Sequence, residues 1–175
     1  MPTGGDASYT PERFLARYDE LANVLGNLAS RVVSMIEKYR DGIVPDAAGD
    51  GLDGQITSTL GAVRDAMAGH RVHEALGAAM DLARAANGYV EERAPWAQAK
   101  DPRATSELDQ TLATLARALT ALCALFQPVA PAKMAELAAW LGLDGVPTLE
   151  ECRRVGLGGR RVAKGPPLFP KIEVG

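Results

Sequence analysis

Residues 101–126 read DPRATSELDQTLATLARALTALCALF, and this stretch decides the fold. Its large apolar residues recur at alternating steps of four and three: Leu108, Leu112, Leu115, Leu119, Leu122 and Phe126. This spacing places them along one side of a helix and is typical of a helix that packs against a neighbour. Asp101 and Pro102 are residue types that suit a helix start. The stretch therefore predicts one long, packed helix.

Four further helices are predicted from apolar spacing and from the Pro and Gly residues that interrupt it. They run from Thr10 to about Arg40, from Gln55 to Met67, from Val72 to Glu92, and from Pro131 to Leu141. Residues 46–54, rich in Gly and Asp, are predicted to be a loop, and one short turn is expected near Thr148. The fold class is all-α, a single bundle of about five helices.

The two ends of the chain lack helical patterning. Residues 1–9 are predicted to be an extended lead, and the Gly/Pro-rich residues 156–175 to be a non-helical tail packed on the bundle. Residues 161–163 and 171–174 are candidates for short extended pieces within that tail. The whole chain, residues 1–175, is expected to be one domain.

Composition excludes several classes of protein. The chain has 175 residues, of which 47% are hydrophobic and 23% charged, the composition of one globular domain. A net charge of −3 disfavours a charge-driven nucleic-acid coat protein but leaves room for a local basic patch. The sequence has no long apolar run and no signal peptide, which predicts a cytoplasmic protein without membrane or DNA partners.

Few residues suggest catalysis. There is no Gly-rich phosphate loop and no Ser/His/Asp set. His70 and His73 lie three apart but have no well-spaced carboxylate or thiol partner, so they are predicted to be solvated rather than metal ligands. Cys123 and Cys152 are too far apart for a metal knuckle and are expected to be reduced thiols. No catalytic residue, metal or cofactor is predicted in this chain.

Asn27 and Arg31 are the first candidates for ligand binding. They lie four residues apart, so they share one helix face at the edge of the apolar stripe. Asn offers a donor and an acceptor and Arg a rigid fork of donors, which together suit the edge of a nucleic-acid base. The alternative is a surface Arg hydrogen-bonded to the Asn one turn back.

Trp96 is the second candidate, because it follows Pro95 just beyond a predicted helix end. An indole at a helix end is less easily buried than one within a helix, and it would suit stacking on an unpaired base. The alternative is a Trp that plugs the end of the bundle. Trp140, which lies within an apolar pattern, is predicted to be core.

A basic stretch in the tail is the third candidate. Between Glu151 and Glu173 the sequence has no acidic residue, but it has several basic ones: Arg153, Arg154, Arg160, Arg161, Lys164 and Lys171. Such side chains would contact nucleic-acid phosphates. They would equally well dock the tail on an acidic face of the same domain, and the sequence does not decide between the two.

Four segments, in order along the chain, resemble the C-terminal anticodon-binding domain of methionyl-tRNA synthetases. They are DELANVLGNLASR at 19–31, KYRDGIVP at 38–45, NGYVEERAPW with AKD at 87–101, and PLFPKIE at 167–173. The resemblance covers about residues 6–175. It is identified by the order of all four segments rather than by any single one.

The resemblance implies roles for particular residues. Trp96 would stack on an anticodon base, with Pro95 setting the platform, while Asn27 and Arg31 would hydrogen-bond to anticodon bases and select CAU. Phe169 and its neighbours would pack the tail back on the protein. The implied partner is the anticodon stem-loop of methionine tRNA, and the parent reaction is the ATP-dependent attachment of methionine to that tRNA.

The motifs of the family's catalytic half have no counterpart in this sequence. The resemblance therefore implies a chain without a catalytic centre, with ATP and methionine bound by an absent catalytic domain that is itself a candidate partner. Whether the chain is a fragment or a free-standing paralogue stays open. The alternative function is a free-standing helical module that binds a protein.

Overall fold

The structure is a computed structural model that describes residues 10–154, 156–170 and 172. Its helices, in chain order, are Pro11–Leu21 (α1), Asn27–Arg40 (α2), Gly51–Ala68 (α3), Val72–Arg93 (α4), Pro95–Gln98 (α5), Thr105–Phe126 (α6) and Pro131–Trp140 (α7). A π-helical turn, Ala22–Gly26, joins α1 and α2 into one rod. With this rod, α3, α4, α6 and α7, the predicted all-α bundle of about five helices is confirmed.

The long helix α6 is the centre of the bundle, packed against α2, α3, α4 and α7. All six residues of its predicted apolar stripe expose 2% of their surface or less. Cys123 and all five Ala residues of α6 are buried as well, so the helix is surrounded on nearly all sides. The spacing of the leucines identified the helix, and the small residues between them allow neighbours on its other faces.

The predicted loop at 46–54 is wrong in its last part, because α3 already begins at Gly51. The carboxylate of Asp53 accepts the backbone N–H of Asp50 at 3.0 Å, and the carboxylate of Asp50 accepts the N–H of Leu52 at 3.4 Å. This reciprocal capping satisfies N–H groups that the first turn of a helix leaves without partners. The Asp residues that suggested a loop therefore start a helix.

The tail, defined here as residues 156–170, packs on the bundle as predicted. Its buried side chains are Leu157, Val162, Leu168 and Phe169. Backbone hydrogen bonds tie it to the chain after α2 and to the end of α7, including one from Ala163 N–H to the carbonyl of Trp140 at 2.9 Å. The predicted extended piece at 161–163 forms a single antiparallel bridge, Ile43 to Arg161.

Some predictions fall outside the described residues: the extended lead at 1–9, and the piece at 171–174 apart from residue 172. Trp140 is 5% exposed, which confirms its prediction as core. Within the described ranges, no helix has both the length and the apolar character needed to cross a membrane.

Candidate nucleic-acid interface

Asn27 and Arg31 occupy the first two turns of α2, directly after the π-helical turn. The residues between them that face the core, Leu28 and Ala29, are fully buried. Asn27 is exposed, and the Arg31 side chain keeps 40% of its surface exposed. The two polar heads therefore lie at the edge of the packed face, where the sequence places them.

Arg31 is held by a residue that the sequence analysis did not select. Its Nη2 donates to Glu91 Oε1 on α4 at 2.6 Å, so its partner lies on another helix and is not the Asn27 of the alternative interpretation. Both side chains are well exposed, and such pairs stabilise a fold by only about 0.2–1 kcal/mol. The pair orients the guanidinium and leaves its other N–H groups available.

Trp96 lies just past the end of α4. Ala94 adopts a left-handed conformation with φ 43°, which ends the helix, and Pro95 then starts the short α5. A residue before proline is disfavoured in the helical conformation, so the chain turns at this point. Pro95 is buried, whereas Trp96 keeps 39% of its surface exposed. The indole is therefore more accessible than that of the core residue Trp140.

Of these side chains, Arg31 and Trp96 are each linked to the C-terminal end of α4. Glu91, the partner of Arg31, is in the last turn of that helix, and Trp96 is five residues further along the chain. We call Asn27, Arg31, Glu91 and Trp96 the α4-end surface. It combines base-edge hydrogen-bonding groups with an exposed aromatic ring, which is the chemistry of single-stranded RNA recognition.

A polar network behind this surface fixes the end of α4. The Tyr89 hydroxyl donates to the carboxylate of Asp50, and burial together with that neighbouring carboxylate raises the pKa of Tyr89 to about 12. Arg93 lies 5.9 Å from the centre of the Tyr89 ring and donates from Nε to Thr111 Oγ1 at 3.3 Å. The last turn of α4 is thus tied to the start of α3 and to α6.

Glu91 and Asn87 are the residues that sequence reasoning missed. Glu91 is an exposed acidic residue in the last turn of α4, and it bonds Arg31. Asn87 donates from Nδ2 to the carbonyl of Val24 at 2.9 Å, inside the π-helical turn. The two residues are four apart on α4 and so share one face. That spacing, with two polar residues inside a resembling segment, was the available signal.

The basic side chains of the tail do not form one cluster of free charges. Arg160 donates to the carbonyl of Gly142 at 2.8 Å, and Arg161 donates to that of Asp41 at 3.1 Å. Arg154 pairs with Glu150 at 2.5 Å. Two of the guanidiniums thus help to dock the tail, through backbone carbonyls rather than an acidic face.

The remaining basic residues of the stretch are placed differently. Arg153 is exposed in the 3₁₀ turn Glu151–Arg153. Lys164 is also exposed, and its backbone N–H donates to Glu37 Oε1 at 2.9 Å. Lys171 lies outside the described residues. A phosphate-binding role for this stretch stays a prediction.

Comparison with known proteins points to one group. No protein-family model matches the chain. The methionine–tRNA ligase of Halalkalibacterium halodurans is 36% identical over 184 residues, which cover 99% of this chain and 28% of that protein. That of Oceanobacillus iheyensis is 37% identical over 188 residues, 98% of this chain and 27% of that protein. The chain thus spans just over a quarter of the length of these relatives.

Solved structures agree with the sequence comparison. The apo form of Mycobacterium tuberculosis methionyl-tRNA synthetase superposes with a TM-score of 0.91 and 28% identity, over 100% of this chain and 37% of that one. The same enzyme in complex with methionyl-adenylate gives a TM-score of 0.84 over 98% of this chain. The similarity extends over essentially the whole helical bundle and its tail.

Proposed function

The chain is homologous, over nearly its whole length, to a segment of methionine–tRNA ligases, and we propose that it is the module that reads the anticodon of methionine tRNA. The observation that carries this proposal is the pairing of Arg31 with Glu91 in the last turn of α4, with the exposed Trp96 following directly after that helix. In this proposal the chain contributes binding only. The attachment of methionine to tRNA, with its ATP and methionine sites, belongs to the remainder of such an enzyme.

The α4-end surface supplies the two kinds of contact that an unpaired base needs. The guanidinium of Arg31 and the amide of Asn27 hydrogen-bond to base edges. The ring of Trp96 provides a stacking surface, and such stacking contributes about 1–3 kcal/mol per base. Glu91 holds the Arg31 guanidinium in place before RNA arrives, so less side-chain freedom is lost on binding.

The overall charge limits how strongly the isolated chain binds RNA. With a net charge of −3 it gains little sequence-independent attraction for phosphates. Arg153, Arg154 and Lys164 are exposed and would add local phosphate contacts, with smaller contributions from Arg160 and Arg161, which already bond carbonyls. Affinity should therefore depend mainly on base contacts and only modestly on salt.

The basic experiment is a titration of the 175-residue chain with an RNA stem-loop carrying the CAU anticodon, beside the same loop with its first anticodon base changed. Both are measured at low and at moderate salt. We expect tighter binding of the CAU loop. Equal binding of the two loops, or no binding, would contradict the proposal. It would instead support the alternative of a protein-binding module, which the similarity to methionine–tRNA ligases does not favour.

Trp96→Ala is expected to weaken binding of the CAU loop by about 10-fold or more, because the stacking surface is lost. Trp96→Phe should fall between the wild type and the Ala variant, since a smaller ring still stacks. Phe14→Ala is the matched control: it removes an aromatic residue that is 51% exposed, in α1 and well before Asn27 along the rod. Wild-type affinity in Trp96→Ala would exclude stacking on this residue.

Arg31→Lys keeps the positive charge but replaces a planar fork of donors by a single ammonium group. We expect the preference for the CAU loop over the altered loop to fall by about 5- to 10-fold, since a two-bond contact to a base edge contributes about 1–3 kcal/mol to discrimination. Arg64→Lys, at an exposed site on α3, controls for the exchange itself. An undiminished preference in Arg31→Lys would remove Arg31 from the reading site.

A further inference from the structure

The rod that carries Asn27 and Arg31 contains a π-helical turn immediately before them. The N–H of Asn27 donates to the carbonyl of Ala22, five residues back instead of four. Such a turn holds one extra residue. It therefore rotates the side chains that follow it by roughly 100° about the helix axis, compared with an unbroken α-helix. The direction in which Asn27 and Arg31 leave the bundle therefore depends on this turn.

The helix α1 does not hold the turn in place by itself. None of its residues is buried, and its contacts with the core are the partly buried Tyr18 and Leu21, so α1 alone resists rotation by one residue less than a buried helix would. A π-helical turn has interrupted α-helical bonds and is not favoured by local propensity. Contacts from elsewhere in the molecule must maintain it.

One such contact comes from Asn87 on α4. Its Nδ2 donates to the carbonyl of Val24 within the turn and to the carbonyl of Ala83 on its own helix, both at 2.9 Å. The first bond joins two helices at the point where the regular ladder is interrupted. Glu91, one turn further along α4, bonds Arg31. One face of α4 thus bonds both the π-helical turn, through Asn87, and the Arg31 side chain that follows the turn, through Glu91.

A second such contact comes from the tail, in addition to the burial of Leu25 in the core. Phe169 packs against Gly26, the last residue of the turn, where a Cβ atom would lie 3.2 Å from Phe169 Cδ2. The ring of Tyr18 meets Phe169 edge-on at 6.0 Å, and the Tyr18 hydroxyl donates to the carbonyl of Pro170 at 2.7 Å. The tail therefore packs against the last residue of the turn, whereas Asn87 bonds its third residue, Val24.

We propose that Asn87 is a positioning residue for base reading: through the carbonyl of Val24 it maintains the π-helical turn that aims Asn27 and Arg31. The expected effect on RNA binding rests on the proposed function. The effect of Asn87 on the π-helical turn can be measured without RNA. Asn87 itself is half-buried and is not required to touch the RNA.

The test uses the full chain labelled with ¹⁵N and ¹³C. The coupling across the hydrogen bond between the Asn27 amide and the Ala22 carbonyl is measured by NMR, and the two RNA loops are then titrated. The variant is Asn87→Ser, whose hydroxyl still reaches the Ala83 carbonyl one turn back but is too short to reach Val24. Asn87→Ala is a second variant that removes both bonds.

We expect both variants to lose the Asn27–Ala22 coupling, and their preference for the CAU loop to fall by roughly 10-fold, while they remain folded. Gln110→Ala is the matched control. It removes another side-chain amide that donates to a distant backbone carbonyl, that of Gly49 at 3.4 Å, away from the π-helical turn. It should keep both the coupling and the preference.

The possible failures are distinguishable. If the coupling persists in both variants, Asn87 does not maintain the turn and the inference is wrong, whatever the RNA results. If the coupling is lost but the preference for the CAU loop is unchanged, the turn does not orient Asn27 and Arg31 for base contacts. The inference is then overturned, while the proposed function stands. If the wild type itself shows no preference, the proposed function fails, and the positioning role fails with it.

Discussion

Leu119→Ala is expected to lower the free energy of unfolding by about 3–5 kcal/mol, measured by urea denaturation. Leu119 is fully buried in α6, which packs against four other helices of the bundle. Truncation removes three carbon atoms from a close-packed interior and leaves a cavity that rigid neighbours cannot fill. Since small domains are stable by only about 5–15 kcal/mol, this single change would remove a large part of the total.

The matched control for this prediction is Leu76→Ala on α4, which deletes the same atoms from a half-buried site. Solvent already reaches part of that side chain, so the expected loss is about 1–2 kcal/mol. Equal losses in the two variants would show that the α6 site relaxes around the missing atoms. That result would contradict a closely packed centre at this helix.

Gly142→Ala is expected to lower the free energy of unfolding by about 3 kcal/mol, for two reasons that add. Gly142 has φ +67°, a left-handed conformation that an L side chain adopts at a cost of about 1–2 kcal/mol. A Cβ atom there would also collide with the backbone carbonyl of Arg161 in the tail. Backbone cannot rotate away as a side chain can, so the tail would have to shift.

Gly159→Ala separates these two contributions. Gly159 has a similar φ of +78°, but a Cβ atom there would meet nothing within 4 Å. The control should therefore lose only the conformational part, about 1–2 kcal/mol. If both variants lose the same free energy of unfolding, the tail accommodates the added methyl group at Gly142 without an energetic penalty. That result would contradict close packing of the tail at the end of α7.

The two stability predictions and the binding predictions concern different parts of the molecule. Leu119 and Gly142 hold the bundle and its tail together, whereas Trp96 and the Arg31 side chain keep 39% and 40% of their surfaces exposed. Variants at Trp96 and Arg31 should therefore remain folded while binding RNA differently. The tail links the two parts, since Phe169 packs beside the turn that leads to Asn27.

The helices were predictable because their signals are local. The spacing of leucines in α6 marks a buried side within one stretch of chain, and Pro95 and Pro131 mark boundaries through their own ring geometry. The start of α3 was missed, although it is equally local. Asp50 and Asp53 have the spacing of a capping box, but the surrounding glycines favoured a loop.

Local sequence patterns were enough to predict the all-α class, the five main helical segments of the bundle, and the three candidates Asn27, Arg31 and Trp96. The partners of Arg31 and of the π-helical turn became visible in the folded chain. Arg31 finds Glu91 60 residues away, and Asn87 reaches Val24 across 63 residues. Apolar periodicity tells which face of a helix is buried, but it does not tell which helix covers that face. In our proposal the π-helical turn depends on the bond from Asn87 to Val24, and the apolar pattern that runs through the turn without interruption gave no sign of it.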